Sequence, residues 1–156
     1  MTPRRSAPRA WPGKAAAVAA LYTRRLTIDA ARERVFDAIA TLEGPRHWWT
    51  TIVTGSAEVG GELRFGFAGL AEQIVMRVDH ARPPLAVGWS CVAHTRDDEW
   101  TGTELRFELA ARGAQACELD FRHVGISRDQ VAAGWERFLA SLAAYAEHGE
   151  GTPYGA

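Results

Sequence analysis

The chain has 156 residues, a formal net charge of −1 and 47% hydrophobic residues, which is the composition of one globular domain. These values exclude a disordered chain, collagen and a disulfide scaffold, and the longest apolar run is too short to span a bilayer. Residues 1–20 carry four basic residues and no acid, so we expect a disordered basic tail there and a single domain over residues 21–153. The near-zero net charge gives no electrostatic reason for binding nucleic acid, and we expect no membrane partner.

Residue types that are scarce in this chain narrow its chemistry. Lys14 is the only lysine and asparagine is absent, which excludes a lysine Schiff base inside the domain and N-glycosylation. Cys91 and Cys117 form neither a CxxC motif nor a zinc spacing. We therefore expect two buried free thiols in the reducing cytoplasm, with a disulfide as the alternative. A secretory signal in residues 1–20 is disfavoured because the stretch after its basic residues is barely apolar.

The first part of the domain predicts one strand and two short helices. Residues 21–28 alternate between apolar and polar side chains, which is typical of a strand. Asp29 is placed to cap a helix that begins directly after it. Pro45 is placed to open a second short helix that contains Trp48 and Trp49.

From Thr50 onward the apolar periodicity changes to two, which predicts about six antiparallel strands. The pair Gly60-Gly61 predicts a tight turn between two of them. The last two strands alternate apolar with charged residues, so we expect a hairpin with one apolar face and one charged, solvent-exposed face. Strict alternation places one set of residues on the inner face of a central strand: Val87, Trp89, Cys91 and Ala93.

The chain ends in its clearest helix. Apolar residues follow a 3.6-residue period over about four turns, and Ser127 with Gln130 has the pattern of a capping box. Gly149 suits the left-handed position that ends a helix. An apolar sheet face needs a cover, and this helix is the only long one. We therefore expect an α+β helix-grip fold, in which a curved antiparallel sheet of about six to seven strands wraps around the C-terminal helix, with two short helices after the first strand.

Short strings of residues along the domain occur in an informative order. They are residues 28–39, Trp48-Trp49, Gly60-Gly61 with residues 63–65, residues 100–105, and Gly134-Trp135 followed by Leu139, Leu142, Tyr145 and Gly149. This order resembles the START/Bet v 1-like (SRPBCC) helix-grip superfamily, most closely the branch related to the C-terminal domain of the activator of Hsp90 ATPase. The resemblance covers residues 21–153 and implies a cavity between helix and sheet. It implies function only coarsely, since the fold hosts lipid carriers, polyketide cyclases and aromatases, hydrolases and cochaperone domains.

The sequence shows no strong catalytic or metal-binding motif. Nucleophile elbow, P-loop, dinucleotide glycine loop, HExxH and EF-hand patterns are all missing, and no two histidines have ligand spacing. We therefore predict no catalytic residue, no metal and no cofactor. His123 falls on an inner face, and the resemblance includes a histidine near this point. It is interpreted as a satisfied buried polar group, with a role in orienting a ligand or in acid–base chemistry as the alternative.

Aromatic residues on the inner faces are the main functional signal, because Trp48, Trp49, Trp89 and Trp135 together are more than a core of this size needs. They predict a cavity for a small hydrophobic or aromatic molecule. The alternatives are a cyclase, aromatase or hydrolase in the same cavity, and a cochaperone-like domain that stimulates an ATPase. A homodimer is compatible with each of these. The predicted ligand-binding residues are Trp48, Trp49, Phe65, Phe67, Met76, Trp89, Leu105, Phe107, Leu119, Phe121, His123, Trp135, Phe138, Leu139 and Leu142.

Overall fold

The structure, a computed structural model, describes residues 20–156. The predicted basic tail lies almost entirely outside the described residues, so that prediction stays open. None of the helices in the described range is long and apolar enough to cross a membrane. The strands are β1 (Leu21–Ile28), β2 (Ile52–Gly55), β3 (Glu62–Gly66), β4 (Gln73–Arg82), β5 (Ala86–His94), β6 (Glu104–Ala111) and β7 (Cys117–Val124). The helices are α1 (Arg32–Ala40), α2 (Gly44–Trp48) and α3 (Arg128–His148), with a 3-10 turn at Asp98–Trp100.

The seven strands form one antiparallel sheet in the order β1-β7-β6-β5-β4-β3-β2. Each strand after β2 pairs with the strand that precedes it, and β1 joins the sheet beside β7. Helix α3 covers the apolar face, and α1 and α2 pack against it. The predicted α+β helix-grip fold is confirmed, because the alternating strands leave one apolar face that only the long amphipathic helix can bury.

The N-terminal ends of the two short helices agree only in part with the sequence predictions. Helix α1 buries the predicted apolar stripe, but Ala31 occupies the N-cap position and no side chain caps the helix. The prediction that Asp29 caps this helix is wrong, since the backbone N–H of Asp29 instead donates to the Glu147 carboxylate at 2.8 Å. Pro45 lies in the first turn of α2 as predicted, where its missing N–H costs no helical hydrogen bond.

A β-bulge in β5 breaks the predicted alternation of that strand. Val75 pairs with Ala93 and Met76 pairs with Cys91, so Val92 has no partner of its own across β4. The extra residue reverses the faces beyond it. Ala93 is therefore exposed and His94 is buried. The prediction that Ala93 lies on the inner face is wrong, and a histidine takes the inner position.

The ends of α3 also differ from the simplest expectation. Ser127 occupies the N-cap position, but its side chain makes no capping hydrogen bond. The predicted capping box is therefore wrong, because the Gln130 amide donates across to the Glu99 carboxylate in the 3-10 turn. Gly149 ends the helix at φ 83° as predicted, and its N–H donates to the Tyr145 carbonyl at 2.8 Å.

Both thiols are expected to resist labelling in the native protein. Cys91 and Cys117 are free and buried, and burial raises the pKa of the Cys117 thiol and raises that of Cys91 to about 11. Because the thiolate is the reactive form, a thiol reagent at neutral pH should modify neither residue until the chain unfolds. The measurement is the time course of labelling with and without denaturant. Rapid native-state labelling of Cys117 would contradict the expectation and favour an enzymatic role.

Candidate functional site

A cavity of about 160 Å³ lies between the first half of α3 and one end of the sheet, where β4 begins and β5 ends. Its position is set by the crossing of a straight helix over a twisted sheet, since the two surfaces diverge away from their closest approach. The lining residues are Trp49, Phe67, Glu72, Ile74, His94, Trp100, Gln130, Val131, Gly134, Trp135 and Phe138. The cavity is comparable in volume to one that admits a single aromatic ring, and it is far too small for a lipid chain with its headgroup.

Five of the eleven residues that line the cavity are tryptophan or phenylalanine. The ring centroid of Trp49 lies 5.2 Å from that of Trp135 and 6.4 Å from that of Phe138. Trp100 adds a further wall, 6.0 Å from Trp135. These separations lie within the range of favourable offset and tilted aromatic pairs. The wall therefore presents both faces and edges of indole rings to whatever occupies the cavity.

Two ionisable side chains give the cavity a polar end. Nε2 of His94 lies 3.7 Å from Oε2 of Glu72, and the two side chains are only 6% and 19% exposed. Nδ1 of His94 accepts the backbone N–H groups of Arg96 and Asp97 at 3.2 and 3.1 Å. Burial lowers the pKa of His94, and the nearby carboxylates of Glu72 and Asp97 oppose this shift less strongly. The imidazole is therefore neutral at pH 7, with its proton on Nε2.

Gly134 lies at the mouth of the cavity, in the middle of α3. A glycine inside a helix costs about 1 kcal/mol relative to alanine. A Cβ atom at this position would meet no other atom within 4 Å, so packing does not require the glycine. Gly134 is one of the lining residues, so no side chain projects from this part of the rim. Beside it, the hydrogen bond from Gln130 to Glu99 joins α3 to the 3-10 turn across the rim.

His123 lies behind the cavity wall and all its polar atoms are paired. The indole N–H of Trp135 donates to Nδ1 of His123 at 3.1 Å, so the ring proton is on Nε2, which donates to Oγ1 of Thr103 at 2.8 Å. The Thr103 hydroxyl donates onward to the Trp100 carbonyl at 2.6 Å. The network thus fixes Trp100 and Trp135, which are two walls of the cavity. These hydrogen bonds agree with the interpretation of His123 as a buried polar group whose ring nitrogens are both hydrogen-bonded. The partners are the side chains of Thr103 and Trp135.

The structure brings part of the predicted binding set to the cavity. Trp49, Phe67, Trp135 and Phe138 line it. The others are buried in the core: Trp48, Phe65, Met76, Trp89, Leu105, Phe107, Leu119, Phe121, His123, Leu139 and Leu142. Trp48, one of the predicted ligand-binding residues, is fully buried and donates its indole N–H to the Ala38 carbonyl at 2.8 Å. A direct ligand contact for the buried group stays a prediction.

Several lining residues were missed by sequence reasoning. His94 was missed because strict alternation assigned its place to Ala93. Glu72 and Trp100 fall in or beside irregular segments, where periodicity carries no information. A tryptophan directly after three consecutive acidic residues was the one available signal, since an indole in a polar loop has to find a buried contact. Within residues 20–156, no group of three or more histidine, cysteine, aspartate or glutamate residues is placed to hold a metal ion.

Comparisons with known proteins identify relatives of this fold. The family model described as Activator of Hsp90 ATPase homolog 1-like protein matches residues 29–147. The Aha1 dimer of Colwellia psychrerythraea is 28% identical, with a TM-score of 0.72 over 84% of this chain and 98% of that one. No curated protein sequence matches the chain.

Two more distant structures share the fold. DynU16, from the dynemicin biosynthetic locus, is 21% identical, with a TM-score of 0.66 over 84% of this chain and 48% of that one. An HSP90 activator from Plasmodium falciparum is 15% identical, with a TM-score of 0.66 over 79% of this chain and 93% of that one.

Proposed function

The chain belongs to the activator of Hsp90 ATPase homolog 1-like family, and from this premise we propose that it is a ligand-binding domain for a small, mainly apolar aromatic molecule. The observation that carries the proposal is the cavity of about 160 Å³ walled by Trp49, Trp100, Trp135 and Phe138. A pocket of largely apolar surface with a few polar groups is the usual form of a small-molecule site. Its volume sets the ligand at about one ring.

The open mouth at Gly134 supports this proposal. A helix-interior glycine with free space around its Cα is a stability cost without a packing benefit. We infer that ligand access supplies the benefit, because Gly134 lines the cavity and a large side chain there would narrow its mouth. The affinity expected for one buried ring is sub-millimolar, about −4 to −6 kcal/mol, which is weaker than a cavity for several rings would give.

Filling the mouth is expected to abolish binding. Gly134→Leu should weaken the binding of toluene at least about tenfold, because leucine occupies the space that the ring enters. The measurement is quenching of tryptophan emission during titration. The variant should also be about 0.5–1 kcal/mol more stable, since leucine favours a helix over glycine, so lost binding is not lost folding. Ala133→Leu changes the neighbouring exposed residue and is the matched control. Unchanged toluene binding by Gly134→Leu would place the ligand elsewhere and refute the proposal.

A cochaperone-like role is the second candidate, and the family match favours it. A surface groove of about 830 Å³ runs between α1, α2 and the end of α3, and its lining includes Glu33, Asp37 and Glu43. Arg34 also lines the groove, so the three carboxylates leave a net acidic surface, which suits a basic segment of a partner protein. A pull-down with the chaperone, together with its ATPase rate in the presence of the protein, tests this role. Charge reversal at Asp37, which lines the groove, should abolish any stimulation while leaving toluene binding intact.

Two further proposals concern assembly and catalysis. The relation to an Aha1 dimer supports a homodimer, which sedimentation equilibrium would detect. An enzymatic role in the cavity would rest on Glu72 and His94, the acid–base pair on its wall. Turnover of a single-ring aromatic substrate that is lost in His94→Asn would support catalysis over simple binding.

A further inference from the structure

The polar end of the cavity presents one hydrogen-bond donor beside one acceptor. Nε2 of His94 carries the ring proton, because two backbone N–H groups already donate to Nδ1. Oε2 of Glu72 lies 3.7 Å from Nε2, which is too far for a direct hydrogen bond. Both groups line the cavity. Arg96 donates to the other carboxylate oxygen of Glu72, Oε1, at 3.4 Å. Oε2 of Glu72 and Nε2 of His94 therefore keep hydrogen-bonding capacity for a ligand in the cavity.

The bulge in β5 is what places this donor in the cavity. Without the extra residue Val92, alternation would turn His94 to the outer face of the sheet. The ring is then held by Trp100, whose centroid lies 5.1 Å away in an edge-to-face arrangement. Two backbone hydrogen bonds and one ring contact leave His94 little freedom to turn. The direction of its Nε2–H is preorganised, which lowers the entropic cost of binding.

We propose that Glu72 and His94 recognise a hydroxyl group on the aromatic ring, so that the ligands of this cavity are phenols. The inference rests on the proposed function, since it names the chemical class that the same cavity takes. A hydroxyl oxygen beside both groups accepts from Nε2 of His94 and donates its proton to Glu72. The ring then lies against Trp49, Trp135 and Phe138. One hydroxyl thus satisfies both polar groups.

Other ring substituents fit this pair less well. A carboxylate is repelled by Glu72, and the Arg96 guanidinium 3.4 Å from Oε1 offsets only part of this repulsion because it is exposed to solvent. An ammonium group cannot accept the hydrogen bond that His94 offers. A methyl group cannot accept from Nε2 of His94 and would leave this buried donor without a partner, which is costly. Selection for a hydroxyl therefore comes from rejection of the alternatives as well as from attraction.

The test compares phenol, toluene and benzoate, which differ in one substituent on the same ring. Phenol is expected to bind at least about tenfold more tightly than toluene, because a hydrogen bond to a charged group contributes more than a neutral one. Benzoate is expected to bind at least about tenfold more weakly than phenol. Titration calorimetry and tryptophan quenching measure all three. Gly134→Leu must weaken each ligand that binds in the cavity.

Two variants separate the roles of the pair. His94→Asn places an amide oxygen near the position of Nδ1 and removes the donor, so phenol should lose about tenfold in affinity while toluene changes by less than about threefold. Glu72→Gln keeps an acceptor oxygen and removes the charge, so benzoate should bind about fivefold more tightly. Because Glu72 is only partly buried, this variant keeps the test valid if the histidine variant does not fold.

The outcomes distinguish this inference from the proposed function. If toluene binds and phenol is no tighter, or if His94→Asn weakens both ligands equally, the hydroxyl inference is overturned and the binding cavity stands. If none of the three ligands binds, or if Gly134→Leu leaves their binding unchanged, the proposed function fails as well. Phenol selectivity that disappears in His94→Asn, together with improved benzoate binding in Glu72→Gln, supports the inference.

Discussion

Replacing Leu139 by arginine is expected to abolish cooperative folding. Leu139 is 1% exposed and belongs to the hydrophobic core beneath α3. An arginine there would bury an unpaired charge and overfill packed space, which costs several kcal/mol. Domains of this size have only about 5–15 kcal/mol of stability in total. The expected result of Leu139→Arg is loss of the near-UV circular dichroism signal and of a cooperative urea transition.

The next residue provides a matched control. Ala140 lies about 100° further around the helix and is exposed, so Ala140→Arg should change the free energy of unfolding by less than about 0.5 kcal/mol. The sequence alone suggests Leu139→Arg as a binding variant in a folded protein. The structure changes that expectation, because Leu139 lies in the core and does not line the cavity. A folded Leu139→Arg protein would show that the core beneath α3 is looser than its contacts indicate.

The fold was predictable because its determinants are local and periodic. Residues 104–109 and 117–123 alternate strictly, and the last helix keeps a 3.6-residue period. Such patterns fix which face of each element is apolar, and one long amphipathic helix is then the only cover available for the sheet. The end of the last helix was predictable from the single residue Gly149, because a helix that ends in a left-handed conformation favours glycine there.

The cavity was predictable only in outline, because it depends on small departures from those patterns. Val92 has no partner across β4, and this extra residue places His94 on the inner face where strict alternation would place Ala93. Nothing in the local composition indicates the bulge. Trp48 and Trp49 are equivalent in sequence, yet the turn after α2 places the first in the core and the second on the cavity wall. The difference between a filled core and a cavity is a matter of packing volume, which periodicity does not encode.

The caps show a third kind of departure. Ser127 and Gln130 have the spacing of a capping box, but Gln130 bonds to Glu99 across the mouth of the cavity. A local pattern is overridden here by a tertiary contact that a sequence separation of 31 residues conceals. The exchange joins α3 to the 3-10 turn, so a residue that could have capped the helix instead bridges the rim of the site.

The protein is expected to lose about 2 kcal/mol of its free energy of unfolding through His123 alone when the pH falls from about 7.5 to about 5. His123 is 0% exposed, and burial lowers its pKa from the ordinary 6.5 to about 3. The native state therefore keeps this ring neutral in a range where the unfolded chain takes up a proton. The stabilising contribution is present above pH 6.5 and declines as the pH falls from there toward 3.

The other groups with shifted pKa values do not obscure the effect of the histidines between pH 7.5 and 5. Burial lowers the pKa of His94 and of His80, so both change stability in the same direction as His123. Hydrogen bonds from His47 and Arg46 lower the pKa of Glu43 from its ordinary value of 4.5. This exposed carboxylate therefore changes the free energy of unfolding mainly below pH 4.5. Within the window from pH 7.5 to 5, the histidines therefore dominate.

His123→Asn isolates the contribution of this histidine. The asparagine side-chain oxygen can take the place of Nδ1 and accept the indole N–H of Trp135, whereas the group that titrates is gone. Because His94 and His80 remain in the variant, the difference between parent and variant in their pH dependence reports His123 alone. Urea unfolding at the two pH values should show that the variant loses about 2 kcal/mol less than the parent. Equal losses would mean that His123 is protonated in the native state near pH 6, and that Trp135 and Thr103 do not hold it neutral.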